Sequence, residues 1–253
     1  MLTRSPSGSV PTAAGSLVAE WAALVLSSAE QFAAGVSALR ENATGRLVVS
    51  ASLTIAEYLL PGWLGALCRR QPGVAVELEV VNSATVIDRV SQGSAQIGFI
   101  ESPGTTGGLN ARDVGSDELV VVVPPGHPWT RRRRPLLAHD LHTTALVLRE
   151  SGSGTRDAFT AALAANGLGA PAAALELGST AAVKAAVEAG AGPAVLSRLA
   201  VGADLIAGRL EIVPVEGMDL RRRLRAVWRQ GQPLEPAAAA LLTRASTPHP
   251  ALP

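Results

Sequence analysis

Apolar residues recur at Leu17, Trp21, Leu24, Phe32, Val36 and Leu39, with Ser28 as a gap. The mean step is roughly 3.7 residues, so the pattern predicts one long helix with an apolar face between Thr12 and Arg40. At about 1.5 Å per residue this helix would run on the order of 40 Å. Such a stripe either packs along its own domain or pairs with the same helix of a second chain; its length favours pairing. Residues 1–11 carry turn formers without periodicity and read as a loop.

Beyond Asn42 and Gly45 the pattern changes. Leu47–Ala51 reads as a buried strand. A short turn to Leu60 and a helix over Pro61–Gln71 follow, because Pro61 is tolerated in a first turn and not mid-helix. Val74–Val80 alternates as a strand, Thr85–Ser91 reads as a helix, and Gln96–Ile100 reads as a third strand. Strand, helix, strand, helix, strand is a parallel α/β unit, whose ligand side lies at the carboxyl ends of its strands. Ser52, Thr54, Asn82, Ser83 and Glu101 fall at those ends.

Residues 102–118 read as a glycine-rich polar loop with room for one short strand, and Leu119–Val123 as a buried strand. Pro124-Pro125-Gly126-His127-Pro128 breaks that strand and marks an expected crossover. Residues 135–198 then repeat the first pattern: strand Ala145–Leu148, helix Thr155–Asn166, strand Leu175–Leu177, helix Ala181–Ala189, strand Ala194–Leu196. Ser153, Thr155, Ser179 and Thr180 fall at the new strand ends. Leu210–Val215 and Leu224–Trp228 read as strands, and Pro236–Ala245 as a last helix. Two similar halves joined by two strands predict two lobes, a cleft between them and closure about a hinge.

The stretch Arg149–Asp157 is the clearest of these joints. Its glycines allow a tight turn, and Ser153 or Thr155 can cap the following helix. Alone it is either a capped turn or an anion site. Its recurrence at about four joints around one cleft favours a binding role.

Composition narrows the picture. The 253 residues are 47% hydrophobic, enough for one large or two small cores. A formal charge of +1 gives no strong field towards nucleic acid or membrane across the whole chain. The one cysteine, Cys68, is expected as a small buried hydrophobe and suits a reducing, cytoplasmic setting. Trp63 and Trp228 are expected in the core. Leu17–Leu26 is interrupted by Glu20 and is too short to span a bilayer.

No Lys-Ser/Thr pair follows Gly152 and Gly154, and Ser153 lacks the spacing of a nucleophile elbow. No third glycine completes a dinucleotide fingerprint. His127, His139, His142 and His249 lack metal-site spacing, although His139, Asp140 and His142 could share one turn. Neither metal nor cofactor is expected, and no catalytic residue is assigned. Arg131–Arg134 and Arg221–Arg223 both read as solvated loops.

Six runs together resemble a known family: PTAAGSLVAEWA, GRLVVSASLTIAEYLLPGWLGALCRRQPGVAVELEVVNS, QGSAQIGFIE, VVVVPPGHP, RESGSGTRDAF and VKAAVEAGAGPAVLS. In order, over residues 2–245, they resemble a LysR-type transcriptional regulator. The resemblance implies an α/β, two-lobed fold like that of type 2 periplasmic binding proteins, behind a long linker helix. It implies a remnant of the DNA-binding wing at 1–11, a linker and dimerisation helix at 12–41, and a disordered tail at 246–253. Lobe I would comprise 46–123 and 223–245, and lobe II 124–222.

The implied partners are a small polar or anionic effector and a second copy of the chain, as dimer or tetramer. No membrane is implied. Operator DNA is implied only where an intact helix-turn-helix is present, since Met1–Arg4 match the end of its recognition helix. The implied effector rim is Ser52, Leu53, Thr54, Asn82, Ser83, Glu101, Ser153, Thr155, Arg156, Ser179 and Thr180. Gln96 departs from the family's usual Asp. Two rival readings share the fold: a solute-binding protein of a transport system, and an enzyme using Ser153 or Glu101. The regulator reading is preferred, without catalysis.

Overall fold

The computed structural model describes residues 2–5, 8–18, 21–23, 25–29 and 46–247. Two strands come first, β1 (Leu2–Ser5) and β2 (Gly8–Pro11), paired antiparallel with Leu2 opposite Pro11. The loop expected over residues 1–11 is therefore a strand pair in its described part. Backbone pairing makes it, and that leaves no trace in side-chain periodicity.

Residues 13–18, 21–23 and 25–29 are helical, and these described segments are labelled α1. Thr12 helps to start the helix, its Oγ1 accepting from the Gly15 N–H at 3.1 Å. Leu17 and Trp21 of the expected stripe, and Val25 and Leu26 on the following turn, are each at least half exposed in the single chain. The expected continuation of this helix to residue 41 lies outside the described residues, as do residues 248–253 of the expected tail.

From Arg46 strands and helices alternate. The first run is β3 (Arg46–Ala51), α2 (Leu53–Tyr58), α3 (Leu60–Arg70), β4 (Ala75–Val80), α4 (Ser83–Gln92), β5 (Ile97–Ile100) and β6 (Leu109–Val123). The second is α5 (Ala138–Thr143), β7 (Leu146–Arg149), α6 (Gly154–Ala165), β8 (Ala173–Leu177), α7 (Thr180–Glu188) and β9 (Ala194–Ser197). It continues through α8 (Arg198–Ile206), β10 (Glu211–Val213), β11 (Arg221–Arg229) and α9 (Pro236–Ala245). The strand order is β4-β3-β5-β11-β6-β9-β7-β8, with β10 also on β6. β3 runs parallel to β4 and β5, and β7 parallel to β8 and β9, whereas β6 and β11 run against their neighbours.

β6 joins the two halves. Residues 109–118 pair with β11, and residues 119–123 pair with β9 and β10. The step falls at Glu118–Leu119, where the Leu119 N–H donates to the Leu220 carbonyl at 2.9 Å. The parts on either side are the first and second lobes below. Two expectations change here. The short strand allowed within the loop over 102–118 is a long one, running from Leu109 into Leu119–Val123. The change of lobe lies within β6, and not at Pro124. Asn110, Arg112, Asp113 and Asp117 have little strand propensity; pairing with distant β11 holds them extended.

Each lobe buries both faces of its sheet, as parallel sheets require. In β3, Leu47, Val49 and Ala51 pack with Ile55, Trp63, Phe99, Leu224 and Leu241 on one side, and Val48 packs with Val86, Val90 and Ile100 on the other. In β6, Leu119, Val121 and Val123 face Phe159 and Leu163, while Val120 and Val122 face Val183 and Val187. Trp63 meets Phe99 with ring centroids 5.4 Å apart, and Trp228 packs against the same cluster. Gln96 ties β3 to the start of α9, because its Oε1 accepts from Val48 N–H (2.7 Å) and its Nε2 donates to Glu235 (3.1 Å). An Asp there could make only the first of these bonds.

Further expectations are corrected. Cys68 is exposed, because it sits on the outer face of α3 beside Arg69 and Arg70. Helices α5 and α8 were not expected; Asp140 starts the first, accepting from Leu137 N–H (2.9 Å), and Ser197 caps the second, accepting from Leu199 N–H (3.2 Å). Ser246 and Thr247, expected in the tail, hydrogen-bond the last turn of α9. Arg221–Arg223 is strand, not loop.

Candidate functional site

The carboxyl ends of β3, β4, β5 and β7 converge between the lobes, and a helix starts beside most of them. Ser52 and Thr54 flank the start of α2, Ser83 opens α4, and Thr155 lies in the first turn of α6. All four are buried, as are Glu101 after β5, Ser153 before α6 and Thr180 at the start of α7. Burying so many hydroxyls requires partners, and the structure supplies a central one.

That partner is Arg222 of β11. Its side chain is 1% exposed. Its Nε and Nη2 donate to Asp117 Oδ2 at 2.9 and 2.7 Å, which makes a tight charge-assisted pair. The same guanidinium reaches both lobes: Nη2 donates to Thr54 Oγ1 (3.3 Å) and Nη1 to Thr155 Oγ1 (3.0 Å). Glu101 Oε1 lies 3.6 Å from Nη1, and Glu101 Oε2 accepts from the Ser52 hydroxyl. The Ser83 hydroxyl accepts from Glu101 N–H at 3.4 Å. A second buried guanidinium, Arg149, donates to Thr180 Oγ1 (3.2 Å) and pairs with Glu150 (2.8 Å).

Burial pushes the Glu101 carboxyl above its ordinary value, and the nearby Asp117 charge adds to this; Arg222, the Thr54 hydroxyl and Arg149 pull the other way without cancelling it. At the rim, burial and then the Glu57 charge push the Tyr58 hydroxyl up to about 12. It therefore stays a donor at neutral pH, to the Ala200 carbonyl of the second lobe at 3.4 Å.

The lobes are closed on each other. Ala84 N–H donates to the Gly152 carbonyl (3.1 Å), Asn82 Nδ2 to the Ser151 carbonyl (3.4 Å), and the Ser102 hydroxyl to Asp157 (3.1 Å). Gly152 has φ +82°, a left-handed conformation that favours glycine. Gly154 is required by proximity: a Cβ there would lie 2.7 Å from both Glu101 Cγ and Ser83 Oγ. Two open hollows, about 660 Å³ between α3 and α9 and about 520 Å³ beside the Leu119–Leu220 step, lie away from these strand ends.

Of the expected rim, Thr54, Glu101 and Thr155 meet at Arg222, and Ser52 and Ser83 join them through the Glu101 carboxylate and backbone. Asn82 caps α4, accepting from Thr85 N–H (3.0 Å), and Ser179 caps α7, accepting from Ala182 N–H (3.1 Å). Ser153 precedes α6 without a side-chain cap bond. Leu53 opens α2 and brings no polar group. Arg156 is engaged elsewhere, with Glu176 (2.5 Å) and the Arg149 carbonyl (3.2 Å). Thr180 serves Arg149. Sequence reasoning missed Arg222, Asp117 and Arg149. The available signal was the alternation Arg222, Leu224, Ala226 along β11, all three buried, against exposed Arg221 and Arg223. Among the described residues, no group of three or more His, Cys, Asp or Glu is placed to hold a metal ion. No helix among them is long and apolar enough to cross a membrane.

Comparisons with known proteins agree with this architecture. The family model described as the LysR substrate-binding domain matches residues 40–247. An HTH-type transcriptional regulator of Mycobacterium tuberculosis is 47% identical over 239 residues, covering 90% of this chain and 76% of that protein. The HTH-type transcriptional regulator CysL of Bacillus subtilis is 33% identical over 224 residues, covering 88% and 74%. The regulatory domain of CcmR from Synechocystis, solved in complex with 2-PG, superposes with a TM-score of 0.71 at 26% identity, covering 79% of this chain and 95% of that one. The chain accordingly belongs to the LysR-type family of transcriptional regulators and carries that family's substrate-binding domain, a two-lobed α/β fold like that of periplasmic binding proteins.

Proposed function

We propose that the regulator senses a small polar or anionic effector between its two lobes, at the strand ends around Arg222, and that occupancy shifts the closure of the lobes. One observation carries this: a single buried guanidinium is hydrogen-bonded to Thr54 of the first lobe and Thr155 of the second. A molecule entering there changes the contacts of both lobes at once, which is how differential affinity becomes a conformational shift. That CcmR's regulatory domain holds 2-PG supports a small ligand for this fold. The converging groups are ion pairs and hydroxyls without a nucleophile–histidine pair, which fits holding a ligand better than transforming one. In a screen of small acids and polyols by thermal shift, an effector should raise Tm by mass action. Thr155→Val should keep the fold and lose most of that rise; an undiminished rise would remove the site from consideration.

The exposed stripe of Leu17, Trp21, Val25 and Leu26 supports pairing through the helix that begins at residue 13. Trp21→Glu should lower the mass seen by light scattering, and an unchanged mass would refute pairing there. A free, exposed Cys68 suits the reducing cytoplasm, where regulator and operator meet. Changed closure would alter the assembly and, in an intact regulator, its grip on DNA.

A further inference from the structure

Resting on the inter-lobe reading above, we propose that the site takes up a small anion together with one proton, which lodges on Glu101, because the Glu101 carboxylate is an internal anion already seated on the donors a ligand would use. The seat is specific. Glu101 accepts from the Ser52 hydroxyl and lies 3.6 Å from Arg222 Nη1, the same nitrogen that donates to Thr155 at 3.0 Å. Hydroxyl and guanidinium donors of this kind hold carboxylates and other oxyanions.

The surroundings leave no room for a second negative charge. Facing Glu101 are Ser52 and Thr54 from α2 and the residue before it, Ser83 from α4, Asp117 from β6, Arg149 from β7 and Arg222 from β11. From α6 comes the Gly154 backbone, so close that a Cβ would lie 2.7 Å from Glu101 Cγ. Two buried guanidiniums, Arg222 and Arg149, are set against the two buried carboxylates of Asp117 and Glu101. With both carboxylates ionised these facing charges balance. An entering anion puts one negative charge in excess unless Glu101 takes a proton from solvent, and burial already pushes this carboxyl towards its protonated form. Once protonated, Glu101 is a donor and can hydrogen-bond the anion.

Binding is then linked to pH. Above the pKa of Glu101 in the ligand-free protein, apparent affinity for an anion falls up to about tenfold per pH unit; below it, affinity is level. The test uses the full chain with acetate, glycolate and sulfate as probes, each fully ionised between about pH 6 and about pH 9. Expected are anion-dependent stabilisation at the low end that fades towards the high end, and the same stabilisation at both ends in Glu101→Gln. Proton uptake is read separately on the native chain at the pH where the stabilisation is fading, by calorimetry in two buffers of different ionisation heat; up to about one proton per anion is expected there. Stabilisation equal at both pH limits, no proton uptake, or an unchanged slope in Glu101→Gln overturns the proposal. If Thr155→Val still abolishes stabilisation in those cases, the site stands and only the proton linkage falls. Stabilisation indifferent to Thr155→Val removes the site itself. No stabilisation by any of the three anions at low pH also overturns the proposal, and a neutral polyol acting through Thr155 would then identify the site as one for uncharged ligands.

Discussion

Two runs of arginine in this chain have nearly the same composition and opposite fates. Arg131–Arg134 leaves a short 3₁₀ turn and all four residues are exposed, with Arg132 held by Asp140 at 3.0 Å. Arg221–Arg223 enters β11, where the side chains alternate: Arg221 and Arg223 face solvent and Arg222 is buried between the lobes. The charges are alike; the backbone period differs. A strand sends every second residue to the opposite face, so one arginine of three is carried to Asp117, Thr54, Thr155 and Glu101. A charge run states how many cations there are, and the element beneath it states which are buried.

Removing the buried member should separate the two runs most visibly. Arg222→Ala leaves Asp117, whose side chain is 1% exposed, without its cation, and Glu101 with one fewer. Loss of one partner from a buried pair costs on the order of 3–5 kcal/mol. The variant should unfold at much lower denaturant, or expose the strand ends to water. Arg132→Ala should be hard to tell from the native chain by the same measurement. Equal midpoints for the two variants would show that the Arg222 cluster is solvated in solution.

The same contrast explains how much could be read from the sequence. Both α/β units were legible because Val, Ile and Leu fall at strand and helix periods, and glycines and hydroxyls punctuate them. The strand-end residues Ser52, Thr54, Ser83, Glu101 and Thr155 were legible for that reason too. What joins them was not. Asp117 lies in a polar stretch that becomes strand only by pairing with β11, where Asp117 stands opposite Arg222. Arg149 ends β7 beside Thr180, a residue 31 positions on. Helix α8 was missed because Arg198–Ile206 follows β9 directly, with Ser197, the last residue of the strand, as its cap. These contacts are non-local, and no window of sequence contains both partners.

A second variant sets the two lobes against each other. Gly154→Ala places a Cβ 2.7 Å from Glu101 Cγ and Ser83 Oγ and 2.9 Å from the Ser102 nitrogen. Overpacking of this kind typically costs about 1–3 kcal/mol. Here the lobes can relieve it by separating, at the expense of the bonds from Ala84 to Gly152 and from Ser102 to Asp157. The expected result is a modest fall in Tm with a larger radius of gyration by small-angle scattering. A fall in Tm at unchanged radius would place the strain within one lobe and show that closure does not depend on this contact.

The smallest effect gives the most direct test of the alternation. Arg223 is one residue from Arg222, carries the same charge, and pairs with Asp113 at 3.1 Å; its side chain is 78% exposed and that of Asp113 is 52% exposed. Water solvates both charges whether or not they meet, and holding two long side chains together opposes the gain. Arg223→Ala should therefore leave Tm within about 1 °C of the native value. Any residual difference should shrink as salt is raised, because exposed charges are screened. A loss comparable to that of Arg222→Ala, and insensitive to salt, would mean that β11 does not hold the register in which Arg222 faces Asp117. A one-residue slip would turn Arg222 outward and bring Arg221 and Arg223 in, so the two neighbouring substitutions together report which face of β11 looks into the site.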